Sequence, residues 1–395
     1  MSVRGNALAG VMYKLKKIAN AVEKRNGNPF SVSVEKQARY LDSLREPKDL
    51  LDRSYLQYKC QMRLKGRLLS VLVNLASAPL LLVMSLSRKS DEMAPAGSCS
   101  GDKKRAIFFD DLPTDVIPSE VTERFEVVPC PSGMQGTLTK GDRSFFRKLI
   151  FRYPFSWHFL LKALIKLRQY RAVMNFAKPD AFIVCSEYSF ASSLLTEYLH
   201  GNGIMHVNVM HGEKLFFIRD SFFQFDTCYV WDEELVKLFV DLRAAHNQFH
   251  VSVPSALKLD VAEGEHVYDF TYYLGSESER QLHLILQNLR TLRETGAALC
   301  IRPHPRYTDA GVLSAFEEEG IHVEDTRAIS LKDSLMATKR AVSLYSTVLR
   351  QAREAGLETV VDDLSDPTKY RQLVNARFTI LSSGPYSKLS DYVLP

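Results

Sequence analysis

From residue 105 onward the chain repeats one pattern: a short apolar run, a break in polar or small residues, then a longer stretch with apolar positions three and four apart. The runs Ala106–Phe109, Phe125–Val128, Ala181–Cys185, His206–Met210 and Tyr229–Trp231 predict strands, and the stretches 145–176, 191–200 and the one ending at Leu242 predict the helices between them. A second series follows. Its strands are predicted at Tyr272–Gly275, Ala298–Ile301, His322–Glu324, Ala341–Leu344 and Thr359–Asp362, with helices at 279–295, 309–319 and 348–355 and a further apolar segment at Leu331–Thr338. Strands alternating with helices predict parallel sheets. Two such series meeting near 250–268 predict two Rossmann-like halves with a cleft between them.

The first hundred residues do not share this rhythm. Val11–Val22 and Val34–Tyr58 predict polar helices with modest apolar stripes, separated by Asn26-Gly27-Asn28-Pro29, and they read as an accessory helical region. Leu68–Ser87 is an uncharged run of 20 residues, bracketed by Arg63, Lys65 and Arg67 before it and by Arg88 and Lys89 after it. That length just crosses a bilayer. Asn74, Pro79 and positive charge on both sides argue against a span. The run therefore predicts a helix lying in a membrane surface, ahead of a buried core helix and a true span. Ser90–Lys104 is rich in Ser, Gly and Pro and predicts a linker. The expected organisation is a basic helical region over 1–89, a linker over 90–104, an acceptor domain over 105–255 and a donor domain over 256–395.

Charge sharpens the picture of the N-terminal region. The net charge is +5, but residues 1–67 alone hold 15 Lys and Arg against 6 Asp and Glu, so the excess is local. A basic arm beside an apolar run suits an anionic membrane surface. The chain is expected to be cytoplasmic and peripheral on the inner face of the cell membrane. Six cysteines without Cys-x-x-Cys spacing argue against a zinc or disulfide framework and fit a reducing compartment, and lysines interrupt Met1–Asn20 where a signal peptide would need an apolar core. With 46% hydrophobic and 25% charged residues the composition is that of an ordinary globular protein. There is no Gly-x-Gly-x-x-Gly and no P-loop, so neither a dinucleotide cofactor nor a P-loop kinase is expected.

The chemistry concentrates at predicted strand ends. Arg302-Pro303-His304-Pro305-Arg306 closes one strand, and the two prolines hold His304 on a stiff, extended backbone. Ser343-Leu344-Tyr345-Ser346-Thr347 closes another and opens a helix, a ready anion site. The same residues read more plainly as a surface histidine and a helix cap. Together they resemble the second domain of GT-B-fold bacterial glycosyltransferases, notably the sialyltransferases and polysialyltransferases of capsule and lipooligosaccharide synthesis. Polyol-phosphate transferases of teichoic acid synthesis carry a similar His-Pro element.

The resemblance implies that His304 meets the phosphate of a CMP-sugar donor and that Ser346 and Thr347 help to bind it. Arg302, Arg306, Ser343, Gly275 and Ser276 fall on the same donor side. Gln351 stands where many nucleotide-sugar enzymes carry a ribose-binding Glu, and an amide offers only a neutral hydrogen bond there. The acceptor would be a glycan, free or lipid-linked.

A base on the first domain is required. Glu187 and Glu213 are the leading candidates and Asp111 follows, although all three also read as helix caps or turn residues. His211-Gly212 resembles the His-Gly after a first-domain strand in capsule and teichoic-acid enzymes, and it also reads as a simple turn. No Asp-x-Asp stands in a convincing position, so a metal-independent, inverting transfer is expected. Lys140–Lys178 has ten basic residues against one acid, interleaved with aromatics. An anionic glycan groove or a membrane face suits this stretch better than nucleic acid, since no nucleic-acid module accompanies it. Two sibling readings remain: a CDP-polyol phosphotransferase, and a non-catalytic envelope-assembly protein that binds glycan or nucleotide.

Overall fold

The computed structural model describes residues 28–86, 103–110, 112–130, 133–258, 266–305, 308, 311 and 313–393. The helix expected at 11–22, nearly all of the linker, and the candidate residues Asp111 and Arg306 lie outside them.

Two six-stranded sheets carry the fold, and every pairing in both is parallel. In the first, β1 (Lys104–Phe108), β2 (Phe125–Pro129), β3 (Ala181–Val184), β4 (Met205–Val209), β5 (Thr227–Val230) and β6 (Phe249–Val251) lie in the order β2-β1-β3-β4-β5-β6. In the second, β7 (Tyr268–Tyr273), β8 (Leu299–Arg302), β9 (His322–Val323), β10 (Thr338–Ser343), β11 (Glu358–Val361) and β12 (Ser387–Lys388) lie in the order β12-β11-β10-β7-β8-β9. The central strands are buried on both faces, as a parallel sheet covered by helices requires: all four residues of β3 are inaccessible. The architecture is therefore α/β, with two Rossmann-like domains in the GT-B manner.

The N-terminal region is less separable than its polar sequence suggests. It forms α1 (Val34–Asp42), α2 (Leu50–Lys65) and α3 (Arg67–Leu86). Leu41, Leu56, Cys60 and Leu64 enter the same core cluster as Val184 of β3 and Val361 of β11. Gln57 is also fully buried, and its amide donates to the carbonyls of Glu187 at 2.8 Å and Arg219 at 3.0 Å. So α1 and α2 belong to the body of the protein.

The basic, aromatic stretch forms two helices, α5 (Lys140–Arg152) and α6 (Trp157–Ala177), after the short α4 (Ser119–Arg124). Pro154 separates them, because its ring and missing N–H end a helix at the residues before it. The remaining first-domain helices are α7 (Ser192–His200) and α8 (Glu233–Asp241). The second domain adds α9 (Glu279–Glu294), α10 (Ser314–Glu318), α11 (Leu331–Met336), α12 (Val348–Glu354) and α13 (Pro367–Asn375).

Candidate functional site

In an open parallel sheet, ligands collect at the carboxyl ends of the strands where the strand order reverses. In the first sheet that point lies between β1 and β3, and in the second between β7 and β10. The first point is bordered by Asp110 after β1, by Ser186-Glu187-Tyr188 after β3 and, one strand over, by His211 after β4. The second is bordered by Leu274-Gly275-Ser276-Glu277 after β7 and by Leu344-Tyr345-Ser346-Thr347 after β10, with the His304 loop after β8 beside it.

The second-domain loops are fixed to one another through the end of β7. The amide of Leu274 donates to the carbonyl of Arg302 at 3.0 Å, and Ser343 Oγ donates to the carbonyl of Tyr273 at 2.9 Å. His304 is fastened to Thr308, its amide donating to Thr308 Oγ1 at 2.8 Å and its carbonyl accepting from the amide of Thr308 at 3.2 Å. Ser346 Oγ accepts from the amide of Val348 at 3.2 Å, and Thr347 stands at the N-cap of α12. His304, Gly275, Ser276, Ser346 and Thr347 therefore share one sheet edge.

Three residues expected on the donor side are occupied otherwise. Arg302 turns inward, where its guanidinium meets Glu324 at 2.7 Å and the carbonyl of Ile329 at 3.1 Å. Ser343 is fully buried and its hydroxyl is committed to β7. Gln351 donates to the carbonyl of Ala256 at 3.0 Å, tying α12 to the segment that joins the domains. These serve the scaffold.

On the first domain the expected carboxylates are also engaged. Glu187 is fully buried and ion-paired with Lys214 Nζ. Burial alone would raise its carboxyl, but the Lys214 ammonium and His211 outweigh burial and hold it at about 2. A carboxylate so acidic, with an ammonium already on it, is a poor proton acceptor. Glu213 Oε1 accepts from Arg350 Nε of α12 at 2.7 Å, and Oε2 accepts from the hydroxyl of Thr379. Glu213 is thus a bridge between the domains.

His211 is different. The residue is exposed as a whole, yet its ring is crowded enough that burial pulls its pKa below the ordinary imidazole value, with Glu187 and Asp110 opposing that shift and Lys214 and Arg219 adding to it. Tyr188 stands edge-on at 6.5 Å. His211 thus stands exposed at the end of β4, beside two carboxylates that are both held in ion pairs.

Other groups at these edges went unmarked in the sequence. Glu277 accepts from the amide of Gly275 at 2.6 Å, and burial, with Asp362 nearby, raises its carboxyl. The ammonium of Lys369 lies 5.3 Å from the Tyr345 ring centroid, and the Arg219 guanidinium lies 5.4 Å from that of Tyr188. Lys369 sits 22 residues beyond Thr347, on a helix after the next strand, where no local motif points to it.

The two edges face each other. Besides the Glu213–Arg350 pair, the amide of Thr379 donates to the carbonyl of Lys214 at 3.0 Å, and the amide of Phe216 donates to that of Ala376 at 2.6 Å.

No family model and no curated protein matches the chain. Among solved structures, a UDP-N-acetylglucosamine 2-epimerase from Rickettsia bellii overlaps 65% of this chain and 78% of its own at 14% identity, with a TM-score of 0.42. The S. aureus protein MnaA, solved with UDP, overlaps 73% of this chain and 93% of its own at 12% identity and a TM-score of 0.41. The wall teichoic acid polymerase TagF overlaps 84% and 85% at 10% identity and a TM-score of 0.41. Likenesses this remote carry no reaction across, so the function has to come from the groups at the two sheet edges.

Proposed function

We propose that this chain is a glycosyltransferase of capsule or cell-envelope polysaccharide synthesis, transferring a sugar from a nucleotide-activated donor on the second domain to an acceptor hydroxyl on the first. The observation that carries this reading is the opposition of the two switch-point edges, His211 on one and the His304 and Ser346–Thr347 loops on the other, bridged by Glu213 and Arg350. In the proposed reaction the acceptor oxygen attacks the anomeric carbon and gives its proton to His211. The bond from that carbon to the donor phosphate breaks, and the leaving phosphate oxygen takes the electron pair while His304 and the Ser346–Thr347 hydroxyls hydrogen-bond it. Configuration inverts and no metal is required. A CMP-linked acidic sugar is the favoured donor, on the strength of the His-Pro and Ser/Thr elements alone.

The test has three readouts. Thermal shift with CMP, CDP, UDP and GDP should single out a cytidine nucleotide, and transfer by the purified protein should survive excess chelator. His304→Ala and His211→Ala should each lower turnover by about 10²–10³-fold, the usual effect of removing a group that acts in the transition state. Because the His211 pKa lies below the ordinary value of about 6.5, the imidazole is neutral at neutral pH, and activity should fall only as pH drops through that lower value. Transfer within about threefold of wild type in both variants would remove both residues from the chemistry. Nucleotide binding without any transfer would favour the non-catalytic sibling instead.

A further inference from the structure

Helix α3 is amphipathic in the opposite sense to a helix on a water-facing surface. Ser70, Asn74 and Ser77 point into the protein, while Arg67 and Ser85 stay exposed at the two ends of the helix. Ser70 Oγ donates to the carbonyl of Met62 at 2.6 Å, Asn74 donates to the carbonyl of Phe155 at 2.8 Å and accepts from the amide of His158 at 3.1 Å, and Ser77 is buried. Outward go Leu68, Leu72, Leu75, Leu80, Leu82 and Leu86, each more than half exposed. The apolar surface continues past the helix. Phe151 is 84% exposed and Phe155 is 79% exposed, at the corner between α5 and α6 that Asn74 holds against α3.

Basic residues rim this surface. Arg63 and Arg67 are exposed at the turn between α2 and α3, and Arg147 is exposed one turn before Phe151 on the same face of α5. Lys59, Arg63 and Arg67 line a groove of about 410 Å³ between α2 and α3, whose floor includes Met62, Val71 and Leu75.

A transmembrane passage does not fit this packing. Leu81 and Met84 of α3 pack on the core beneath α6, and Asn74 is fastened to the α6 N-terminus. The helix is about 30 Å long, and to cross a bilayer it would have to leave that seat. A second copy is a poor occupant as well, because a two-fold contact would press one arginine rim against another. An anionic lipid surface satisfies both parts, the acyl boundary taking the leucines and phenylalanines and the phosphates taking the arginines.

We infer that α3 and the Phe151–Phe155 corner form a single membrane-docking face that lies in the interface of an anionic bilayer. This face is one helix away from the cleft, since Gln61 of α2 donates to the carbonyls of Tyr188 at 2.7 Å and Arg219 at 3.2 Å.

Flotation of the full chain with vesicles of phosphatidylcholine, alone or mixed with phosphatidylglycerol, tests this directly. Binding should require the anionic lipid and weaken as salt rises. The variants Phe151→Ser/Phe155→Ser and Leu72→Ser/Leu75→Ser should each weaken it by about tenfold or more, from the apolar surface lost to the acyl boundary. Their circular dichroism should stay that of wild type, because these side chains are exposed in the folded protein. Arg63→Gln/Arg67→Gln should lose the preference for phosphatidylglycerol. The inference is overturned if the serine variants float as wild type does, if they dissolve an oligomer that wild type forms without lipid, or if alkaline carbonate fails to extract the native protein from membranes.

Discussion

Glu213 and Lys214 are neighbours in the chain, both charged and both largely enclosed, yet their partners lie in different domains. Glu213 reaches Arg350 and Thr379 of the second domain, while Lys214 turns back to Glu187 of the first. That these residues stand at strand ends follows from the hydrophobic pattern. Their partners do not, because the charges that neutralise them are 137 and 27 residues away. The same holds for Arg302 and Ser343: their place in the motif is legible, but Glu324 and the Tyr273 carbonyl that occupy them appear only once the sheet is built. Within the His211-Gly212-Glu213-Lys214 run, local sequence cannot tell the exposed histidine from the enclosed charges beside it. The Glu187–Lys214 pair permits a sharp prediction. Glu187→Gln leaves an ammonium buried without its counter-charge, so stability at neutral pH should fall by about 3–5 kcal/mol. Ionised Glu187 stabilises the fold at pH values above its unfolded pKa of about 4.3, and that contribution disappears as pH falls toward the folded value of about 2. The Gln variant should lack that part of the acid limb. A loss under about 1 kcal/mol in urea titrations would mean that Lys214 finds water in the fold.

At the scale of elements, legibility follows burial. Strand β3 and the buried C-terminal ends of β10 and β11 lie between helices and read as apolar runs, so the sequence reveals them. Strand β7 begins at Tyr268, earlier than expected, because Asp269 and Thr271 break its apolar run. Strands β6 and β12 are short edges without a run of their own, and they escape notice, as does α13. Two long predicted helices each become two, with Pro47 lying between α1 and α2 and Pro154 between α5 and α6. The segment before α5 supplies a test of packing. Gly136 lies against α6, its amide donating to the carbonyl of Arg168 at 2.9 Å, and a Cβ there would come within 2.7 Å of the backbone nitrogen of Ala172. Backbone cannot swing aside as a long side chain does. Gly136→Ala should therefore cost about 1–3 kcal/mol, the range for overpacking, visible as a lower urea midpoint with an unchanged slope. A wild-type midpoint would show that the loop can lift from α6 freely.

At the scale of the whole molecule, the alternation of strands and helices discloses two domains but not how they join. The largest core cluster runs through both, with Val184 and Met210 on one side and Leu344, Leu349 and Val361 on the other. Upon that apolar contact sits Arg350, only 3% exposed, between Glu213 at 2.7 Å and Asp232 at 2.6 Å. Arg350 lies in the first turn of α12, the helix that Ser346 and Thr347 introduce, and Glu213 lies two residues beyond His211. The ion pair therefore links the proposed donor loop to the proposed base. Removing Arg350 strands two carboxylates in a tight interface, and removing Glu213 still leaves the guanidinium Asp232. Arg350→Met should thus be the more damaging change, at about 3–5 kcal/mol, with Glu213→Gln costing less. Because the two side chains share one interaction, the double variant should be more stable than the sum of the single losses predicts, by about 0.5–3 kcal/mol. Strict additivity in that cycle would assign the joining of the domains to the shared apolar core, with the ion pair contributing nothing specific. A coupling of the expected size would make Glu213 and Arg350 the bond that sets His211 opposite the donor loops.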